Sequence, residues 1–401
     1  MSDLRERARE LDAADELAAV REEFVLGPDD LVYLDGNSLG ALPVNVPGAV
    51  EDVVRRQWGE LRIRSWTESG WWTAPERIGD SIAPLLGAAA GQVVVGDSTS
   101  VNVFKALVGA VRLAPEGRDE ILVDAATFPT DGYIAGSAAR MTGCTVRAVD
   151  PAAVPDALGP RTAAVLLNQV DYRSGRLHDL PALTAAVRAA GAVSVWDLCH
   201  SAGALEVGLD EHGVDLAVGC TYKFLNGGPG SPAYLYVRAE HQARFDSPLP
   251  GWNSHAEPFG MRAAYEPADG AVRGRVGTPD ILSMLALEAA LAVWSRPDVS
   301  VAAVRAKSLA LTDFFLECVA AYVPGGRVEV VTPAAHAERG SQVALRCADA
   351  GKVMGRLIEA GVVGDFRAPD VLRFGFTPLY LGFAEVERAA RVLAAELSRP
   401  S

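Results

Sequence analysis

Between residues 121 and 238 the chain alternates short runs of β-branched and aliphatic residues with longer alanine-rich stretches. The runs are ILVDA, TVRAVD, TAAVLLNQV, VSVWDL, LAVGC and AYLYV, and LPALTAAVRAAG is one of the stretches between them. A strand buried on both faces reads as a continuous apolar run, whereas a helix lying on it repeats apolar positions every three or four residues. The alternation predicts an α/β fold whose largely parallel sheet is covered by helices. In such sheets ligands gather beyond the carboxyl ends of the strands, so the polar residues that follow each run are the first candidates for chemistry.

At Thr278 the pattern changes. Thr278, Pro279 and Asp280 read as an N-cap, an N1 proline and an acidic first turn opening a helix over ILSMLALEAALAVWSR. The rest mixes a helical pattern, VRAKSLALTDFFLECVAAYV, with the strand-like runs RVEVVT, SQVALRC and VLRFGF, an α+β composition suited to a smaller domain. At the other end, MSDLRERARELDAADELAAVREEF is a charged amphipathic helix pattern. With 401 residues and a prior of about 150 per domain, we expect an N-terminal segment, 1–48, packed with the small domain, a large ligand-binding domain, 49–279, and a small C-terminal domain, 280–401.

Composition narrows the function classes. Hydrophobic residues make up 49% and charged residues 22%, which is ordinary for a globular enzyme. Lys and Arg number 37 against 51 Asp and Glu, and the net charge of −14 repels nucleic acid and anionic membrane. The N-terminus lacks the apolar core of a secretory signal and no run approaches membrane-spanning length, so the expected location is cytoplasmic. The five cysteines (Cys144, Cys199, Cys220, Cys318, Cys347) are scattered and include no CxxC pair, which fits neither a disulfide framework nor a zinc knuckle.

Polar residues stand where the sheet pattern puts chemistry. Lys223, in CTYKFLNGGPG (Cys220 to Gly230), follows a predicted strand, and partial desolvation there would favour its nucleophilic amine; by itself, a lysine beside glycines describes a surface turn first. Asp197 ends VSVWD, where it would reach a pyridinium or simply cap a loop, and His200 three residues on fits a cofactor's phenolic oxygen or a structural role. Asp97, Ser98, Thr99 and Ser100 precede VNVFKALVGAV, in which Phe104, Leu107, Val108 and Val111 keep helical spacing. The free N–H groups and dipole of that helix start suit a phosphate, and plain N-capping suits the same residues. Phe128 to Asp131, FPTD, offers an aromatic face and a second carboxylate, or an ordinary proline turn. Arg373, in VLRFGFTPLY, would grip a substrate carboxylate through a bidentate fork, or lie solvated at a strand edge. A pyridoxal 5'-phosphate (PLP) site needs a lysine for an imine, a carboxylate for the pyridine nitrogen, a face for the ring and an anion cradle, and the chain offers a candidate for each. No GxSxG elbow, HExxH, Walker loop or helix-opening GxGxxG is present, which disfavours serine and metal hydrolases; no metal is expected.

Taken together, YLDGNSLG (Tyr33 to Gly40), FPTD, WDLCHSAGA (Trp196 to Ala204), CTYKFLNGGPGS, Gly251 with Trp252, Gly277 with Thr278, and RFGFTPLY resemble the bacterial kynureninases. The likeness runs from about residue 31 to the C-terminus, and the order and spacing of its blocks make it specific. It implies an aminotransferase-like fold of the first PLP class, with a seven-stranded, mainly parallel sheet in the large domain. It further implies a homodimer whose sites are shared between subunits. The implied activity is hydrolysis of L-kynurenine to anthranilate and L-alanine, in tryptophan catabolism, the kynurenine pathway and NAD biosynthesis. By matched motif, Lys223 would hold PLP as a Schiff base and shuttle the Cα proton, Asp197 would pair with the pyridinium, Phe128 would stack on the ring, and Asp131 and His200 would complete its polar surround. Asn168, Thr99, Ser100, Tyr222, Trp252 and Thr278 would contact the cofactor, the last two from the partner subunit, and Tyr222 would donate a proton to Cβ. Arg373 would hold the substrate carboxylate, with Asn37, Trp66, His255, Gly277 and Thr278 also on the substrate side. Trp66, Gly277 and Thr278 resemble the form that prefers kynurenine to its 3-hydroxy derivative, whereas Asn253 and Ser254 depart from the aromatic residue and glycine usual before the histidine.

Two other readings bear on the same residues. A cysteine desulfurase on a related fold needs a mobile cysteine, yet Cys318 and Cys347 sit in apolar helix and strand patterns typical of core thiols. A non-catalytic binding protein on a PLP fold would commonly have lost the lysine or the pyridinium carboxylate, and both Lys223 and Asp197 are present.

Overall fold

The computed structural model describes residues 2–28 and 30–399. Each of the six apolar runs forms one strand: β2 (Glu120–Asp124), β3 (Thr145–Val149), β4 (Thr162–Asn168), β5 (Val193–Asp197), β6 (Leu216–Gly219) and β7 (Tyr234–Val237). A shorter strand, β1 (Val93–Val95), completes a seven-stranded sheet of order β1-β7-β6-β5-β4-β2-β3. The pairs β2–β3, β2–β4, β4–β5 and β5–β6 are parallel, and β7 runs antiparallel to both β6 and β1. This is the mainly parallel, helix-covered α/β sheet expected from the sequence.

Why the runs lack polar alternation is visible in β4, which is buried along its whole length. Ala164 and Leu166 pack in a core with Val103 and Leu107 of the helix Thr99–Leu113. On the opposite face, Val165 and Leu167 share a core with Ile78, Leu183 and Leu287, each from a different helix. Two apolar faces on one strand leave polar groups only at its ends, so the strand ends carry the site.

A second sheet of four antiparallel strands has the order β8 (Glu329–Val330), β9 (Gln342–Arg346), β11 (Val371–Gly375), β10 (Asp365–Arg367). Its core contains Leu345 and Phe374, Leu311 and Phe315 of the helix Val301–Tyr322, and Leu393 of the helix Phe383–Ser398. Ala8, Leu17, Val20, Phe24, Val32 and Leu34 join the same core, and Val32–Tyr33 pairs in parallel with Val362–Val363.

The helix start near Thr278 differs from the expected one. Thr278 is exposed in an irregular segment, and the cap is Asp280, whose side chain accepts from the backbone N of Ser283 at 3.3 Å. The helix spans Ile281–Ala290 and tightens into a 3₁₀ turn, Leu291–Ser295. Asp280 has the extended backbone an N-cap requires, so it satisfies the first free N–H groups and Pro279 lies just outside the helix. Met284, Leu285 and Leu287 of this helix pack in a core of the large sheet, whereas Val293 belongs to the small-sheet core.

Candidate active site

Three adjacent parallel strands, β4, β5 and β6, end side by side. Asn168 and Asp197 are register partners at the ends of β4 and β5, and the chain leaves β6 through Cys220 toward Lys223. The Asn168 amide Nδ2 donates to Asp197 Oδ2 at 3.0 Å and to Asp131 Oδ2 at 3.1 Å, while its Oδ1 accepts from Thr127 Oγ1 at 2.5 Å. Asp197 Oδ1 accepts from the backbone N of Cys199 at 2.7 Å. Asp131 comes from the first turn of the helix Pro129–Thr142, which follows β2. Burial, and then the neighbouring Asp197 carboxylate, push Asp131 up to about 8, so at pH 7 it is mostly protonated. Two carboxyl groups thus share one amide donor, an arrangement ready for a cation.

Lys223 is half-buried, with Nζ 3.0 Å from His200 Nε2. Burial, followed by the charges of Lys223, Arg373 and Arg367, holds the His200 imidazole far below its ordinary value, so the ring is neutral. Its Nε2 therefore accepts from the lysine, and its buried Nδ1 has no hydrogen-bond partner. The neighbouring Cys220 and burial both push the Tyr222 phenol above its usual range, so Tyr222 keeps its proton. The segment YLDGNSLG docks on this loop: Gly40 N donates to Tyr222 O at 2.7 Å. A Cβ at Gly40 would lie 2.3 Å from the Lys223 carbonyl oxygen, which explains the glycine.

The phosphate candidates line a separate recess. Ser98, not Thr99 or Ser100, caps the helix Thr99–Leu113, accepting from Val101 N at 3.4 Å. Thr99 and Ser100 occupy the first turn and line a cavity of about 390 Å³ together with Ser98, Tyr222 and Ser231. Asp280 also borders it, but its carboxylate accepts from Ser283 N and Oγ of its own helix. Hydroxyls and a helix N-terminus suit a phosphate, and the unpartnered His200 nitrogen and the Asp131–Asp197 pair suit a protonated pyridine carrying further polar groups. These residues fit PLP. Phe128, 43% exposed, caps the Pro129–Thr142 helix start and meets Tyr172 edge-on with ring centroids 5.2 Å apart, leaving a ring face open for stacking.

Arg373 is buried to 1% exposure, so the solvated-edge alternative fails. Its fork, however, is already occupied. Nε donates to Asp365 Oδ1 at 2.8 Å and Nη2 to Asp365 Oδ2; Nη2 also reaches Ser38 Oγ at 2.9 Å, and Nη1 the Tyr172 carbonyl at 2.7 Å. A guanidinium has five N–H donors, so one on Nη1 remains, and the Nε edge is closed to a substrate. The Asn37 amide, fully buried, lies 3.2 Å from Arg373 Nε and 3.1 Å from Gln342 Oε1. Asp365, Ser38 and Tyr172 were missed by the sequence reading. Asp365 had one usable signal, since an antiparallel hairpin over VVGDFRAPDVLRF sets it opposite Arg373.

Trp66, Trp252, His255, Gly277 and Thr278 form a second group. Trp66 meets Trp71, Trp72 and Trp252 edge-on at 5.9, 6.2 and 6.3 Å, and Phe259 lies 5.3 Å from Trp72. Asn253 Nδ2 donates to Gly277 O at 3.0 Å, so the departure from the family pattern ties the two loops together. His255 is committed on both nitrogens: Nδ1 accepts from Glu257 N at 2.8 Å and Nε2 lies 3.1 Å from Ala264 O. Among the described residues, no hydrogen bond or ring contact joins this group to Lys223, Asp197 or Arg373. Cys318 and Cys347 are buried, as core thiols should be.

The sheet order and the strand-end lysine define an aminotransferase-like fold of the kind PLP enzymes use. Solved structures with this fold include apo cysteine desulfurase from Thermococcus onnurineus NA1, with a TM-score of 0.78 and 18% identity over 94% of this chain and 97% of that one. Another is C-DES carrying glycine covalently linked to its PLP cofactor, with a TM-score of 0.79 and 18% identity over 93% and 98%. The family model "Kynureninase C-terminal domain" matches residues 304–393. Kynureninase of Deinococcus radiodurans is 53% identical over 393 residues, 96% of this chain and 95% of the relative. The chain belongs to the kynureninase family.

Proposed function

We propose that this protein is a PLP-dependent hydrolase that cleaves the Cβ–Cγ bond of L-kynurenine, giving anthranilate and L-alanine. The observation that carries the reading is Lys223 Nζ, 3.0 Å from a neutral His200, on the loop after the strand adjacent to the one that ends at Asp197, in a chain 53% identical to a kynureninase over nearly its full length. When bound, PLP supplies an electron sink conjugated with the substrate Cα. Asp197 keeps the cofactor nitrogen protonated, and Asn168 and Asp131 hold that carboxylate in place. Phe128 stacks on the ring, and His200 offers Nδ1 to its polar edge. Thr99, Ser100 and Tyr222 bind the phosphate, joined by Trp252 and Thr278 of a partner copy in a homodimer.

Lys223 Nζ takes the Cα proton and later returns it. Tyr222, its proton held by its surroundings, donates to Cβ as the carbon–carbon bond breaks. Arg373 orients the substrate carboxylate with its remaining Nη1 donor and its positive charge, with Asn37 alongside. Trp66, Gly277, Thr278 and His255 bound the aryl end, and Asn253 sets the shape of that loop, a geometry we read as favouring kynurenine over its 3-hydroxy derivative. Residues 49–279 act as the cofactor domain, and residues 280–401, with 1–48, as the domain that delivers Arg373. A cytoplasmic location and a role in tryptophan catabolism follow the family; no helix among the described residues is long and apolar enough to cross a membrane.

Incubation of purified protein with PLP and L-kynurenine, following anthranilate fluorescence and alanine, tests the activity. Lys223→Ala should abolish turnover and the absorbance of the lysine-bound cofactor. Steady-state turnover by that variant would overturn the assignment.

A further inference from the structure

Lys105 is a buried ammonium that none of the roles above uses. It lies in the second turn of the helix Thr99–Leu113 with its side chain 2% exposed. Nζ donates to Asp97 Oδ2 at 2.8 Å and to the Gly274 carbonyl at 2.7 Å. Taking an ammonium out of water costs more than a surface ion pair returns, and burial pulls Lys105 below its ordinary value while Asp97 opposes that shift. An aliphatic side chain would pack this helix face at no such cost, so the charge asks for an account beyond packing.

Its partner supplies one. Asp97 has a left-handed backbone, φ 56°, at the point where the chain leaves β1 and turns into the helix start carrying Ser98, Thr99 and Ser100. A non-glycine residue holds that conformation only when its surroundings fix it. Asp97 O accepts from Ala233 N at 2.9 Å, Gly96 N donates to Ala233 O at 2.9 Å, and Asn102 Nδ2 donates to Gly96 O at 2.9 Å. These bonds brace the backbone, and Lys105 is what grips the Asp97 side chain. Through Gly274, which ends the 3₁₀ turn Gly270–Gly274, it also anchors the segment leading to Gly277 and Thr278.

We propose that Lys105 is a positioning residue for the phosphate cradle: it holds Asp97 in the left-handed turn that aims the Ser98–Ser100 donors into the recess, and it pins that turn to the Gly274 segment. This rests on the reading that Thr99 and Ser100 receive the cofactor phosphate. Lys105 does not touch the cofactor, so its effect should depend on the phosphate group alone.

Equilibrium binding of PLP and of pyridoxal, which lacks the phosphate, can be compared in cofactor-free wild type, Lys105→Met, Lys105→Arg and Asp97→Asn. Lys105→Met should weaken PLP binding on the order of tenfold, the scale on which loss of outer-shell support loosens a bound group, and leave pyridoxal binding at its wild-type value. Lys105→Arg should recover part of the loss, and Asp97→Asn should behave like Lys105→Met. Equal weakening for both ligands, or none for either, overturns the proposal. If Lys105→Met does not fold, Asp97→Asn with the same two ligands decides. Wild-type protein that takes up no PLP would instead sink the cofactor reading.

Discussion

Asp365→Asn tests what the occupied fork of Arg373 means. Asp365 Oδ2 accepts from Ser38 Oγ at 3.0 Å, from Arg367 Nη2 at 2.8 Å and from Arg373 Nη2, while Oδ1 takes Arg373 Nε at 2.8 Å. In asparagine one of these oxygens becomes an NH₂ group facing guanidinium donors, whichever way the amide turns. At least one charge-assisted bond is lost, worth about 1.5–3 kcal/mol, and a 1% exposed guanidinium loses its counter-charge. Asp365 retains 16% side-chain exposure, so water recovers part of the loss and we expect a net cost of about 2 kcal/mol. In urea unfolding of the cofactor-free protein, the midpoint should fall by that free energy divided by the slope m, with m itself unchanged. If Asp365 holds Arg373 in its working orientation, the KM for L-kynurenine should rise on the order of tenfold, with a smaller change in kcat. If Asp365 is instead a counter-ion that the substrate displaces, KM should fall. A lower or unchanged KM alongside the stability loss refutes the holding role.

Two further outcomes follow from the site. Asp131 is raised from 3.8 to about 8, so its neutral form stabilises the cofactor-free fold fully below about pH 4, and that contribution is lost as pH rises through 8. Thermal scans of cofactor-free wild type should therefore decline more steeply between pH 6 and 8 than those of Asp131→Asn; parallel curves would show that Asp131 does not titrate there. Asn253→Ala removes the 3.0 Å bond to Gly277 O, at a cost of about 1 kcal/mol in stability, and should raise KM for kynurenine. An unchanged KM would mean that the Asn253–Gly277 tie does not shape the aryl site.

Legibility in the sequence followed the range of the interactions. Five of the six runs announced their strands because burial on both faces leaves little freedom in residue type; β3, at the sheet edge and largely exposed, was legible through its β-branched residues instead. The strand β1, Val93–Val95, went unread because three valines carry no usable period. Lys223 and Asp197 were findable because a parallel sheet collects strand ends, and Asn168, named through the family resemblance, stands in register with Asp197. Ser38 and Tyr172 were not findable, because each reaches Arg373 from a distant part of the chain through a contact unexceptional alone, a serine hydroxyl and a backbone carbonyl, whereas Asp365 was legible only through its hairpin pairing with Arg373. The shift of the cap from Thr278 to Asp280 is a local matter of the same kind, since both residue types cap well and only the backbone conformation chooses.

The electrostatics of the strand ends give the arrangement its direction. Asn168 can donate to Asp131 and Asp197 at once, but it brings no charge, so in the absence of a cation the pair relieves its repulsion by keeping a proton on Asp131. Lys223 is not that cation in this arrangement: its Nζ lies against His200, and among the described residues it forms no hydrogen bond or ion pair with either carboxylate. A protonated pyridine nitrogen brought against Asp197 would supply the missing charge and offset the repulsion from Asp197, while burial would go on favouring the proton on Asp131. The same burial that makes the empty pair costly therefore makes it selective for a ligand that is cationic at that one atom, and the anion cradle at Thr99 and Ser100 selects the opposite charge at the other end. A ligand carrying both charges, in that order, is favoured twice over a neutral ring of the same shape.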